Sequence, residues 1–174
     1  MRSLLRLTDA ALAALALLGE IAVAAMCLHI VAEIVANEIF RKPIEGTTEI
    51  VARWYMVAIV FLPLGLIHRH NRHIKAELFT DGLGPFWRRL LEIAIHLLMA
   101  AMAALFAWYS WIDAVDATAR AESVELMSGT LAVWPTRWLV PAGFASMAVV
   151  ALLSALRWAI EPAAVRAEEK GRAP

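Results

Sequence analysis

The sequence predicts an all-α membrane protein with four transmembrane helices, joined by amphipathic or polar connecting helices. Of its 174 residues, 61% are hydrophobic and only 18% are charged, whereas soluble domains carry about a quarter charged residues. The apolar residues are concentrated in four runs, over 10–32, 50–67, 90–112 and 138–160. Crossing about 30 Å of hydrocarbon takes roughly 20 helical residues. Because the period-two alternation of barrel strands is absent, helices are the expected spanning elements.

The four predicted spans cover about 10–34, 48–67, 89–112 and 136–160, within one domain over 1–174. The first resembles a signal peptide, since Arg2 and Arg6 precede it, but its apolar run continues to Ala32. That is longer than a signal core, so we expect a retained span. Segment 69–81 has an amphipathic pattern and is expected on the inner surface. Residues 113–128 lack Pro and Gly, which favours a polar helix extending outward.

Composition also limits the possible chemistry. Sixteen basic and sixteen acidic residues leave no net charge, which argues against a nucleic-acid partner. The single cysteine, Cys27, excludes an intrachain disulfide. His68, His70 and His73 cluster without a carboxylate or cysteine beside them that would complete a zinc site, so we expect them to face headgroups or a subunit. No nucleophilic triad or phosphate-binding loop is present, and we expect no enzyme activity and no cofactor.

Glu20 is the most informative ionisable residue, because it lies about ten residues into the first span. At 1.5 Å per residue this is roughly 15 Å, near the membrane midplane. An ionised carboxylate at that depth is energetically unfavourable in lipid, so its presence indicates a structural or functional role. It is either a proton- or ion-coupling group, or a protonated or hydrogen-bonded residue at a helix–helix contact. We favour the second interpretation, since no relay is evident.

Two further groups of polar residues follow helical spacing. Glu49 and Arg53 are spaced i, i+4 at the outer start of the second span, where they are expected to pair as a structural clamp. Glu33 and Glu38 would be additional partners of Arg53. The inner end of the third span carries a polar stripe that faces either a partner subunit or the bundle interior, formed by Arg88, Glu92 and His96.

Tryptophans lie at the ends of the predicted spans, where their amphipathic rings are expected to anchor the chain at the headgroups. The outer set is Trp54, Trp108, Trp111, Trp134 and Trp138. The inner set is Trp87 and Trp158.

The order of these features resembles a known family. The first span ends in Asn37–Ile44 and is followed by Glu45–Glu49. A tryptophan-bearing span comes next, closes with Gly65 and leads into Arg69–Glu77. This is similar to the small, DctQ-like membrane subunit of tripartite ATP-independent periplasmic (TRAP) transporters. The family pattern has a Pro-x-x-Gly-like turn and a Glu before the second span. After that span comes an Arg…His-Ile-x-x-acidic signature, met here by Arg69 or Arg72, His73, Ile74 and Glu77, although Asp is common at the last position.

The resemblance implies a scaffold role in an inner bacterial membrane. Such subunits pair with a large permease that carries the substrate and sodium sites. A periplasmic binding protein captures the solute, usually a carboxylate. Subunit-interface or structural roles are then expected for Glu20, Glu49, Arg53, His73, Glu77, Arg88, Glu92 and His96.

Two other classes remain open from the sequence. One is a four-helix cytochrome-type anchor, although His29 and His96 lie at different expected depths. An absorption spectrum without a Soret band would exclude it. The other is a small proton-coupled exporter that uses Glu20.

We predict that both termini face the cytoplasm. The loops expected on that side, 1–9, 68–89 and 161–174, carry ten basic residues, against four in 33–49 and 113–137. Basic loops are retained on the cytoplasmic side. Reporter fusions at Pro174 and at Gly129 should behave as inside and outside respectively, and the reverse pattern would contradict the topology.

Overall fold

A computed structural model describes residues 2–70, 84–127 and 129–160. Within this part, four helices are long and apolar enough to cross a membrane: Thr8–Phe40, Thr47–Arg69, Phe86–Ala119 and Trp134–Ile160. The predicted all-α, four-span architecture is therefore confirmed. Most of segment 69–81 lies outside the described residues, together with His73 and Glu77.

The spans differ in regularity. The first is one helix, α1 (Arg2–Phe40), which continues past the predicted end at residue 34. The second consists of α2 (Thr47–Ile50), a π-helix (Val51–Tyr55), α3 (Met56–Phe61) and α4 (Leu64–His70). The third is α5 (Pro85–Ala119), and the fourth combines α6 (Trp134–Arg137) with α7 (Leu139–Ile160).

A small antiparallel hairpin joins the third and fourth spans, formed by β1 (Ser123–Leu126) and β2 (Gly129–Ala132). The polar helix predicted over 113–128 is thus correct only as far as Ala119. It ends there because the Glu122 N–H donates to the Ala117 carbonyl and Ala121 adopts a left-handed conformation, φ 48°. This arrangement usually has glycine at the left-handed position. Alanine occupies it here, so the sequence carried no visible stop signal.

The spans are arranged side by side in the order first, second, fourth and third. The fourth packs extensively on the third and also on α3 and α4, whereas the contacts of the first are mainly with the second. The fourth is accordingly the most buried of the four. The first span lies at one edge of the bundle.

Small side chains fill the contact between the third and fourth spans. The buried residues there include Ala100, Ala103, Ala151, Ser154 and Ala155. Lipid tails are as apolar as leucine, so helices in a membrane associate through close packing and hydrogen bonds rather than through exclusion of water. The third and fourth spans share the most extensive contact among the described elements. Its alanines allow the two helices to approach closely.

Gly143 allows an equally close approach between the fourth span and the second. A β-carbon at this position would lie 2.3 Å from the Phe61 carbonyl oxygen, which belongs to the backbone and has little room to move. The contact is next to the interruption of the second span at Leu62 and Pro63. Proline lacks the N–H that a continuous helix needs, so the interruption is expected there.

We predict that Gly143→Ala lowers the free energy of unfolding by about 1–3 kcal/mol, because the added methyl group forces the second and fourth spans apart. Unfolding in detergent micelles would measure the change. Gly129→Ala is the matched control, since a β-carbon there meets nothing within 4 Å. Equal stability of the two variants would contradict the close-packing interpretation.

Candidate functional site

We call the end of the bundle that the loop charges predict to face outward the outer end, and the opposite end the inner end. The outer end is held by an ion pair between Arg137 and Glu122. Arg137 Nε lies 3.0 Å from Glu122 Oε2, and Nη2 lies 2.7 Å from Oε1, a two-pronged geometry that is the strongest form of this pair. Asp113 of α5 adds a second carboxylate, 3.6 Å from Arg137 Nη1. The start of the fourth span is thereby joined to the end of the third.

The backbone of Glu122 closes the hairpin. Its carbonyl oxygen accepts hydrogen bonds from the N–H groups of Val133 and Trp134, at 2.9 and 3.1 Å. The hairpin also reaches the second span, because the indole of Trp54 donates to the Ala132 carbonyl at 3.1 Å. The outer site therefore connects three of the four spans.

Electrostatics favour the ionised carboxylate at this site. Hydrogen bonds from Arg137 hold the pKa of Glu122 below its ordinary value of 4.5. The charge of Arg137 acts in the same direction, with smaller effects from Arg53 and Arg120, while partial burial opposes them. Glu122 is thus an anion at neutral pH.

The predicted clamp between Glu49 and Arg53 is wrong. Among the described residues, no ion pair joins Arg53 to Glu49, Glu33 or Glu38, and Arg53 is exposed. The physical reason is the π-helix that begins at Val51. Its hydrogen bonds run from i to i+5 and widen the turn, so the i, i+4 pairing rule of a regular α-helix does not hold across this junction. The positive charge of Arg53 instead helps to lower the pKa of Glu122.

The polar stripe of the third span faces the bundle interior. Glu92 and His96 are 6% and 7% exposed, and the atoms Glu92 Oε2 and His96 Nε2 lie 3.8 Å apart. The ring of His68 packs edge-on against His96, with centroids 6.0 Å apart. Arg88, one turn below Glu92, is partly buried. The expectation that His68 faces headgroups or a subunit is therefore wrong, because α4 extends through it and its ring lies against His96.

Two further inner contacts were not predicted. Asp9 of α1 forms an ion pair with Arg69 of α4, where Arg69 Nη2 lies 2.9 Å from Asp9 Oδ2. Arg89 of α5 donates to the Trp158 carbonyl at 3.0 Å and to that of Ala159 in the last turn of α7. The only signal in the sequence was position, since each group lies where a span meets an inner loop.

Glu20 stands apart from these pairs. Its side chain is exposed on α1, and no described residue hydrogen-bonds to it or pairs with it. Gly19 beside it packs on Pro63. An ionised side chain near the bilayer centre costs about 3 kcal/mol on insertion scales. The helix–helix contact expected for Glu20 is therefore not supplied by the described part of this chain.

The tryptophans lie at both ends of the bundle. Trp87, Trp108 and Trp111 are more than half exposed, and Trp54 is also exposed. Trp134, Trp138 and Trp158 are partly buried. Trp138 packs edge-on against Trp111 and donates to Thr118 Oγ1 at 3.0 Å, so it joins the third and fourth spans as well.

No site for a metal or a polar solute emerges from the described residues. None of them form a group of three side chains able to hold a metal ion. His29 is engaged in the outer half, where its ring meets Tyr55 edge-on and its Nε2 lies 3.4 Å from Thr47 Oγ1. A groove of about 360 Å³ between the third and fourth spans has an entirely apolar lining, formed by Ile93, Leu97, Val149, Leu152, Leu153, Ala155, Leu156 and Ala159.

We predict that Arg137→Gln lowers the free energy of unfolding by about 1–3 kcal/mol, because two carboxylates lose a partly buried partner. Arg120→Gln is the matched control. Its pair with Asp116 is 3.5 Å long and largely exposed, so the loss should stay below about 1 kcal/mol. Unfolding in detergent micelles would measure the loss of stability in each variant. Equal losses would contradict the stabilising role of the pair between Arg137 and Glu122.

The same pair gives a pH dependence. Because folding lowers the pKa of Glu122, the stabilisation is complete above about pH 4.5 and is lost as the pH falls through the folded-state value. The stability difference between the wild type and Glu122→Gln should shrink below that pH. A difference that stays constant down to pH 3 would argue against it.

Comparison with known proteins identifies the family. The family model described as tripartite ATP-independent periplasmic transporters, DctQ component, matches residues 26–161, which is well over half of the chain. Searches of curated proteins and of solved structures found no significant match. The match covers the last part of α1 from Met26 onward, the second and third spans, the hairpin and the fourth span. The chain therefore belongs to the DctQ family, the small membrane components of TRAP transporters.

Proposed function

We propose that this chain is the scaffold partner of a large permease in a sodium-gradient-driven TRAP uptake system of a bacterial inner membrane. The solute is a small organic molecule, most simply a carboxylate, captured by a periplasmic binding protein. Sodium and solute bind to the large subunit. The chain itself holds no cofactor and catalyses no reaction, in keeping with a family of transporter components.

This proposal rests on the positions of the polar groups in the bundle. Ion pairs and hydrogen bonds join one span to another at both ends, through Arg137 and Glu122 outside and Asp9 and Arg69 inside. Between them, the groove of the third and fourth spans is apolar. Transporter sites instead expose helix ends and polar backbone near the midplane. A braced bundle of this kind suits a stationary scaffold.

The outer surface supports a role in receiving the binding protein. The hairpin projects from the ends of the third and fourth spans, and its Glu125 is exposed, as is Asp116 at the end of α5. Several acidic groups thus lie around a short, rigid hairpin. We propose that this surface contributes to the place where the solute-loaded binding protein docks.

Reconstitution into liposomes tests the proposal. With an imposed sodium gradient and a solute-loaded binding protein, we expect no uptake from this chain alone and clear uptake once the large permease is added. The large permease without this chain should transport at least tenfold more slowly.

The competing exporter hypothesis makes the opposite prediction. Uptake or export by this chain alone, abolished by Glu20→Gln, would contradict the scaffold role. Glu38→Gln, a carboxylate change near the outer end of the same helix, is the control for nonspecific effects of losing a charge.

A further inference from the structure

Within the part of the chain that the structure describes, the first span leaves one long face without a partner. Because α1 packs mainly on the second span, its opposite side is exposed over five turns. We call this side the α1 outer face, and it consists of Leu17, Glu20, Ile21, Ala24, Leu28, Val31 and Val35. Leu28 is 71% exposed, among the highest values of any apolar residue in the spans. Ala24, one turn from Glu20, would let a neighbouring helix approach closely.

Glu20 determines what can cover this face. Asp9 lies at the start of the first candidate span, Thr8–Phe40, and Glu20 lies eleven residues further along α1, roughly 16 Å into that span. Lipid tails offer no hydrogen-bond donor at that depth, so a carboxylate facing them is strongly disfavoured. Glu92, which lies nearer the inner end of its own span, has a partner, His96, inside the bundle.

We propose that the large permease packs on the α1 outer face and that one of its helices donates a hydrogen bond, or presents a cationic side chain, to Glu20. This inference rests on the function proposed above and names the surface and the chemistry of the contact. A second copy of this chain fits less well, because two-fold packing of the same face brings two Glu20 carboxylates together. A donor on a different chain satisfies the charge and uses the apolar residues on both sides.

Co-purification with the cognate large permease tests the contact. The variants are Glu20→Leu, Glu20→Gln and, as matched control, Glu38→Leu, which changes an exposed glutamate near the outer end of the same helix. We expect Glu20→Leu to recover at least tenfold less large subunit. Glu20→Gln keeps an acceptor oxygen and should lose less than threefold, and the control should match the wild type.

The amount of this chain in the membrane separates assembly from folding. Since Glu20 is exposed and forms no hydrogen bond or ion pair with the described residues, Glu20→Leu should leave that amount unchanged. Full recovery of the large subunit with Glu20→Leu would overturn the inference while leaving the scaffold function intact. Failure of the wild type to recover any large subunit would overturn both.

A photo-cross-linking residue in place of Leu28 gives an independent measurement in the assembled complex. We expect a covalent product with the large permease. A product of twice the mass of this chain would show a second copy on the α1 outer face and overturn the inference. A lack of any protein product would assign the face to lipid and overturn it as well.

Discussion

The ion pair between Arg137 and Glu122 organises the outer half of the molecule. Glu122 ends the turn that follows α5, closes the hairpin through its carbonyl oxygen, and binds the first turn of the fourth span through its carboxylate. Because the hairpin then meets Trp54 and packs Leu126 against Gly46, the second span is held by the same site. Glu122 and the hairpin that it closes thus link three of the four spans at this end.

Different contacts join the spans at the inner end of the bundle. Asp9 and Arg69 join the first and second spans, while Arg89 binds carbonyl groups in the last turn of α7. Between the two ends, the third and fourth spans meet through alanines. In a solvent of lipid tails, apolar side chains add little specificity, so close packing and polar contacts at the ends must supply it.

The sequence predicted the spans well and their details poorly. Apolar runs determine which segments cross the membrane, and the family resemblance carried by Pro43, Gly46 and the second span was confirmed by the family match. The hairpin was missed because Ala121 takes the left-handed position that glycine normally marks. The Glu49–Arg53 pair failed because helical spacing assumes an α-helix where the chain forms a π-helix. The pairs that do form, such as Arg137 with Glu122, bridge separate elements, and no local spacing rule predicts them.

The lateral order of the spans gives the first and the fourth very different surroundings. The fourth span packs on both the second and the third and is braced at both ends, whereas the first lies at the edge with most of its circumference exposed. A bundle that bound solute by itself would turn its deep polar groups inward, as it does with Glu92 and His96. Glu20 is turned outward instead. The cost of an ionised carboxylate facing lipid falls when another protein supplies a hydrogen-bond donor, which is the contact proposed for the α1 outer face.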